Sequence, residues 1–549
     1  MTNQLSHALF HGRRVSSRFT VVLAALALAA SGGVAAARSA AADTGTPLPV
    51  PTQPSTSPAA VNGNPQDVCG TQQPYGYIGL STLGVNLIAV VNGNPTDASV
   101  AAHFQIWPVD SPQTVTDLTS IALPPGDRVT VDVADSTFAD GATYAWRVRD
   151  ETSTQVSDWT QPCHFTRVLT PPPAPTVTST TFPTTGTTPI RTYGTFTFSV
   201  PTPTRVVGFN YVLNGTLSSG GGNAFVPIGA DGTATTPPLA SAQWGTNSLQ
   251  VQSVDIAGDV TGPVRYNFYL VDQRTAPDKH SDLNGDGNPD LAAVSSDGKL
   301  YIALGHSDGT VSAPVASALS APQSQAIPPL TWNPSLIAIG GDVVGNDWFE
   351  DMPVIEGGRL TLLSGDGLGG FSPLYIEGRP PAGAADWSGT TQLLSPGDLD
   401  GNGRPDLLVV QNNTLLFEPG MFSGIFDTAV QAVPGAWTGL TVVGVTDVNR
   451  DGKPDLVARA DKSGVVWLYP GNGDGTFSSA RVRIGSGLPA AQYPHLVTKG
   501  DTTGDGYADI WATGACGNLY LIKGKADGHF GSPVVVSTSP VWKTVTALG

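Results

Sequence analysis

Asp398-Leu399-Asp400-Gly401-Asn402-Gly403-Arg404-Pro405-Asp406 is the stretch on which the reading of this chain turns. Oxygen-bearing side chains stand at its positions 1, 3, 5 and 9, and Gly403 at position 6 permits a sharp turn. Hard cations such as Ca2+ take about six to eight oxygen ligands, and alternating carboxylates on a tight loop supply most of them. The phrase returns as Asp282-Leu283-Asn284-Gly285-Asp286-Gly287-Asn288-Pro289-Asp290, as Asp447-Val448-Asn449-Arg450-Asp451-Gly452-Lys453-Pro454-Asp455, and as Asp501-Thr502-Thr503-Gly504-Asp505-Gly506-Tyr507-Ala508-Asp509. A worn fifth copy starts at Asp342. There Val344 stands at position 3, Asp347 replaces the glycine, and one extra residue delays the last acid to Asp351.

From one copy to the next the steps are 60, 56, 49 and 54 residues, a period that indicates a propeller, solenoid or module array. Each unit reads alike. An apolar strand approaches the loop (Leu440–Val443) and a second leaves it (Asp455–Ala458). A third strand (Val465–Tyr469), the turn Gly473-Asp474-Gly475-Thr476-Phe477 and a fourth strand (Arg481–Ile484) follow. Four strands per unit is one propeller blade. An EF-hand shares the Asp spacing but carries an acid at position 12 and helical flanks. Position 12 here is Ala293, Val409, Ala458 or Ala512, and both flanks are strand-like, so these are β-hairpin loops. One Asp-Gly-rich phrase is explained equally well as a plain turn; four in one register favour metal.

Loops, strands and the Asp-Gly-x-Phe turn together resemble the FG-GAP/VCBS repeats of integrin α-chain-like propellers, over residues 278–549. The resemblance implies a β-propeller with Ca2+ in the loop between the first and second strands of each blade. Its implied side-chain ligands are Asp282, Asn284, Asp286 and Asp290; Asp398, Asp400, Asn402 and Asp406; Asp447, Asn449, Asp451 and Asp455; and Asp501, Thr503, Asp505 and Asp509. Position 7, which is Asn288, Arg404, Lys453 or Tyr507, is expected to coordinate through its backbone carbonyl. The Asp342 loop departs from the pattern, so no metal is expected there.

Ring closure is expected from an absence. The first loop is preceded by the polar Asp278-Lys279-His280-Ser281, which cannot fill a blade. The chain ends Trp542-Lys543-Thr544-Val545-Thr546-Ala547-Leu548-Gly549, matching Trp437 to Gly444 ahead of Asp447. This tail is expected to complete the first blade, giving five blades of about 54 residues over 282–549 and no exposed sheet edge.

The N-terminal half carries no comparable chemistry. Arg13, Arg14 and Arg18 precede the apolar run Phe19–Ala30, and Ala40-Ala41-Ala42 offers a cleavage site, so 1–42 reads as a secretion signal. Ordinary export is favoured over the twin-arginine route, and the run is too short to span a membrane. Residues 43–66, rich in Pro, Thr and Ser, read as a flexible tether. Residues 67–170 read as a fibronectin III-like sandwich whose strand Thr143–Arg149 opens on a corner tyrosine, Tyr144. Cys69 and Cys163 bracket it and are expected to pair in an oxidising compartment, two buried thiols being the alternative, with Cys516 left over. The Pro-rich run at 170–175 is a stiff linker into a second, Ig-like sandwich within 171–277, where Thr195–Val200 and Ser248–Val254 alternate cleanly.

The fold class is therefore all-β: two Ig-like sandwiches followed by a C-terminal propeller. With 27 Lys+Arg against 44 Asp+Glu, the net charge of −17 argues against nucleic acid or anionic lipid as partners. Gly305-His306-Ser307-Asp308-Gly309 matches a hydrolase elbow, but no helix follows it and the equivalent Gly471–Gly475 is a turn. Trp332, Trp387, Trp437 and Trp542 precede the loops at similar offsets, which points to blade packing rather than a sugar platform. The expectation is a secreted, monomeric, Ca2+-dependent, non-catalytic binding protein. Its expected ligand is surface glycan or cell-wall polysaccharide first and a protein adhesion partner second, a ligand class that rests on the resemblance. The rivals are an extracellular hydrolase or lyase with its site on the propeller face, and a structural spacer or accessory subunit.

Overall fold

The computed structural model describes residues 47–549 apart from 82–83, 202–204, 219–222, 318, 320–329, 333–334, 381–385 and 423. The secretion signal expected over 1–42 lies outside the described residues. The fold is all-β, and the only helical segments among the described residues are 3-10 turns at Asp135–Thr137 and Pro540–Lys543. No helix among the described residues is long and apolar enough to cross a membrane. Cys69 and Cys163 are disulfide-bonded and Cys516 is free.

The chain forms two compact units. The first runs through Ser57 and takes in Asn86–Val133 and Ala145–Cys163. In it Arg128–Val133 alternates strictly, burying Val129, Val131 and Val133, as a half-buried strand must. Its sheet neighbour Val85–Val90 pairs in turn with Thr52–Ser57. That pairing corrects the expectation of a free tether over 43–66, and Leu48 is buried as well. Thr and Ser suit an edge strand, where Pro54 is tolerated. The register shifts between Thr52 and Ser55, around a proline that has no N–H to contribute.

The second unit holds Pro58–Val85, Ala134–Tyr144 and His164–Gly549. Near its start the Tyr144 hydroxyl accepts the Ala139 N–H (2.8 Å), the bond back to upstream backbone expected of a corner tyrosine. Residues 176–271 make a two-sheet sandwich. One sheet runs Thr188–Pro189, Val264–Val271, Gly245–Asp255, Val206–Leu213, Ala224–Pro227, and the other Thr233–Thr235, Thr197–Ser199, Thr176–Thr178. Phe196, Phe198, Phe209, Leu249, Val251 and Phe268 fill the space they share.

Beyond Asp278 come five four-stranded antiparallel sheets. Their second strands are Leu291–Ser295, Met352–Glu356, Asp406–Gln411, Asp455–Ala460 and Ile510–Thr513, each almost wholly buried. Burial on both faces explains why they read as continuous apolar runs. Ala292 and Val294 pack on Ile337, Met352 and Val354 of the second sheet, while Leu291 and Ala293 pack on Val497, Trp511 and Leu521 of the fifth. Three further clusters join the second sheet to the third, the third to the fourth and the fourth to the fifth. The expected tail strand is present: Val545–Leu548 pairs antiparallel with Leu291–Ser295 and is the first sheet's inner strand. The innermost strands of all five sheets line one cavity of about 360 Å3. Trp332, Trp387, Trp437 and Trp542 are buried between sheets, as their spacing predicts.

Candidate metal centre

In four of the five repeats the first strand runs into the loop, and in all five the loop's first and last Asp organise the backbone. In the Asp398 loop, Asp398 Oδ1 accepts the N–H groups of Gly401 (2.8 Å) and Asn402 (3.1 Å), and Oδ2 accepts that of Gly403 (2.8 Å). Asp406 closes the other side: Oδ2 accepts the Leu399 N–H (2.7 Å) and Oδ1 the Gly420 N–H (2.8 Å). Asp282 and Asp290 do the same, through Gly285, Asp286, Gly287, Leu283 and Gly305. So do Asp447 with Asp455 and Asp501 with Asp509. Positions 4 and 6 turn through positive φ: Gly401 (77°) and Gly403 (82°) in this loop, Arg450 (63°) and Gly452 (86°) in the fourth. Glycine suits both positions because it has no Cβ to clash.

The sequence-expected ligands converge most closely in the Asp398 loop. Carboxylate oxygens of Asp398, Asp400 and Asp406 lie within 4.8 Å of one another, the only such cluster of acids, His or Cys among the described residues. Asp398 is exposed, Asp400 half-buried and Asp406 buried. Asn402 turns its Oδ1 to the Arg404 N–H (2.8 Å). In the first and fourth loops position 3 is Asn, and Asn284 and Asn449 donate their amides to Asp286 and Asp451 (3.0 Å each). Asp286, Asp451 and Asp505 also accept the N–H of their position-7 residues, Asn288, Lys453 and Tyr507. In the fifth loop position 3 is Thr503, whose hydroxyl is buried. An all-oxygen set rich in carboxylates fits a hard divalent cation.

The electrostatics are those of crowded, half-desolvated acids. Burial pushes the Asp290 carboxyl up to about 7 and Asp406 up to about 6, against the backbone N–H bonds that hold them down; the neighbouring loop acids push the same way. Burial likewise raises Asp282, Asp455 and Asp509.

Sequence reasoning missed one element of every loop, the glycine that receives its last Asp. Gly305, Gly365, Gly420, Gly471 and Gly524 each donate N–H to it (2.8 to 3.0 Å). A Cβ on any of them would fall onto the carbonyl oxygen of Pro289, Glu350, Pro405, Pro454 or Ala508. The signal was present as a glycine recurring 14 to 16 residues after each final Asp. The worn loop keeps this frame: Asp342 accepts from Asn346 (3.0 Å) and Trp348 (2.8 Å), and Asp351 from Val344 (2.5 Å) and Gly365 (2.8 Å). The Gly305–Gly309 stretch is a turn closed by a bridge from Gly305 to Val311, with no helix behind it.

The profile of the FG-GAP-like repeat family matches residues 447–512, from the first Asp of the fourth loop to just past the last Asp of the fifth. Among solved structures the chain is similar to an Agrocybe aegerita lectin that recognises non-reducing terminal N-acetylglucosamine: 15% identity, 56% of this chain and 95% of that one, TM-score 0.29. It is also similar to fibronectin(III)-like modules of Clostridium thermocellum CbhA (12% identity, 37% and 94% covered, TM-score 0.25) and to the FN1–FN3 domains of chicken CNTN1 (11%, 35% and 65%, TM-score 0.25). Scores this low carry no argument about fold or ligand. No curated protein matches the chain. Residues 447–512, which hold two oxygen-rich loops and, between them, the three strands Asp455–Ala460, Val465–Tyr469 and Val482–Gly485 of the fourth sheet, match an FG-GAP-like repeat.

Proposed function

We propose that this is an exported, Ca2+-dependent binding protein whose five repeat sheets are the blades of a closed propeller. The observation that carries the metal reading is the convergence of Asp398, Asp400 and Asp406 on a loop whose hydrogen-bonded frame occurs five times. In four copies the frame is joined by oxygen-bearing side chains at positions 3 and 5. Packing of the fifth sheet on the first and the pairing of Val545–Leu548 with Leu291–Ser295 support the closed ring.

Binding is favoured over hydrolysis because the cavity lined by the five inner strands has no Asp or Glu among its described lining residues, so a two-carboxylate mechanism has no home there. Surface glycan or cell-wall polysaccharide is the first ligand class and a protein adhesion partner the second; the disulfide suits an exported chain.

Extracellular sites of this ligand type bind Ca2+ with Kd of about 0.1 to 1 mM. At ten times Kd each occupied site adds roughly 1.4 kcal/mol through mass action. Titrating Ca2+ into the chelated chain should raise its melting temperature by several degrees, less so in Asp398→Ala; an unmoved transition rejects the metal reading. A glycan array run with and without chelator tests the ligand class, and binding that ignores the chelator rejects Ca2+ dependence.

A further inference from the structure

The backbone of the worn loop is bonded by a group from the end of the sandwich that precedes it. Arg274, three residues past the last sandwich strand, donates Nη2 to the Asp347 carbonyl (2.7 Å) and Nη1 to the Trp348 carbonyl (3.0 Å). Counted back from Asp351, those carbonyls stand at loop positions 5 and 6, next to the position-7 carbonyl that an intact copy is expected to offer to a cation. The same guanidinium pairs with Asp272 (2.8 Å) and Asp278 (3.5 Å). Arg191, at the start of the sandwich, pairs with Asp278 and donates Nε to the Gly367 carbonyl (2.6 Å), in the turn beside the loop. Both guanidinium carbons lie against the Phe349 ring, at 4.3 Å for Arg274 and 4.9 Å for Arg191. Phe349 itself leaves the repeat and joins the buried core of the sandwich, beside Ala242 and Leu368.

We infer that the second loop has exchanged its cation for the Arg274 guanidinium, and that this exchange turns a metal site into the joint that fixes the sandwich on the repeat sheets. The departures from the pattern then have one cause. Val344 removes a ligand that a guanidinium does not need, and the extra residue brings Phe349 to the sandwich core instead of leaving it in the loop. A guanidinium is planar, carries five donors and keeps its charge at any physiological pH, so it spans two carbonyls and a carboxylate at once. It is also tethered, so a chelator cannot remove it. The word exchange rests on the intact loops being Ca2+ sites; the joint does not.

The test uses the full chain. Equilibrium dialysis should count the same Ca2+ per chain in Asp342→Asn as in the parent, and one fewer in Asp398→Asn. Arg274→Met should lower the unfolding midpoint by on the order of 3 °C, equally in Ca2+ and in chelator, and by much less when Phe349→Ala is already present. Arg274→Lys should recover only part of the loss, because an ammonium cannot bridge both carbonyls. An ion lost with Asp342→Asn, or an Arg274→Met effect that disappears in chelator, overturns the exchange. A chain that takes up no Ca2+ while the Arg274→Met loss persists rejects the metal reading and supports the joint.

Discussion

Asp455 shows how a single side chain is spent on the frame of a loop before any ligand role. Its oxygens accept from Val448 (3.1 Å), Asn449 (3.0 Å) and Gly471 (3.0 Å), and it is fully buried. Gly471 is its least replaceable partner, since a methyl there meets the Pro454 carbonyl. Gly471→Ala should cost on the order of 2 kcal/mol by overpacking, in chelator as well as in Ca2+, and thermal unfolding in both buffers checks it. In the N-terminal unit Asp150 has the opposite problem. One oxygen accepts the Asn92 N–H (2.6 Å), the other is buried without a partner, and burial pushes its carboxyl up to about 7. Between pH about 4 and 7 the folded chain therefore holds a proton that the unfolded chain has released. Stability falls as pH rises through that window, by at most about 1.4 kcal/mol per pH unit. Asp150→Asn should be more stable than the parent at pH 8 and lose its advantage near pH 4; a constant difference across urea melts at the two pH values would reject that account.

At the scale of elements, periodicity told most. The buried second strands read as unbroken apolar runs because each is covered on both faces, and the first and third strands flank them in the expected order. The tail was legible because Trp542 to Gly549 copies the strand that precedes an intact loop. Val545–Leu548 supplies hydrogen bonds to Leu291–Ser295, and Trp542 fills the cluster between the fifth and first sheets. Deleting residues 541–549 should therefore expose a sheet edge and leave the repeats aggregation-prone. Size-exclusion chromatography that finds the truncated chain monomeric, with an unchanged melting temperature, would refute the closing role. The 43–66 segment was misread because composition alone says tether. Six residues of Thr, Ser, Gln and Pro gain a strand only when a neighbour such as Val85–Val90 offers its edge.

Across the whole molecule, the cation should act on one part of the chain and not on another. The repeats hold the carboxylate loops, whereas the N-terminal unit holds none of the four intact copies. Calorimetry with increasing Ca2+ should move one transition upward and leave another in place; a single transition moving as one body would contradict independent units. The sequence by itself determined the all-β class, the repeat period, the place of the oxygen-rich loops and the tail strand, because each is written as a local pattern of spacing and polarity. Only the tertiary structure decided which acids converge, that the recurring glycine donates to the last Asp of each loop, and which groups bond the worn loop. Those depend on partners far apart in the chain: Gly471 comes 16 residues after Asp455, and Arg274 comes 74 residues before Trp348. No local pattern encodes a distance that only folding creates.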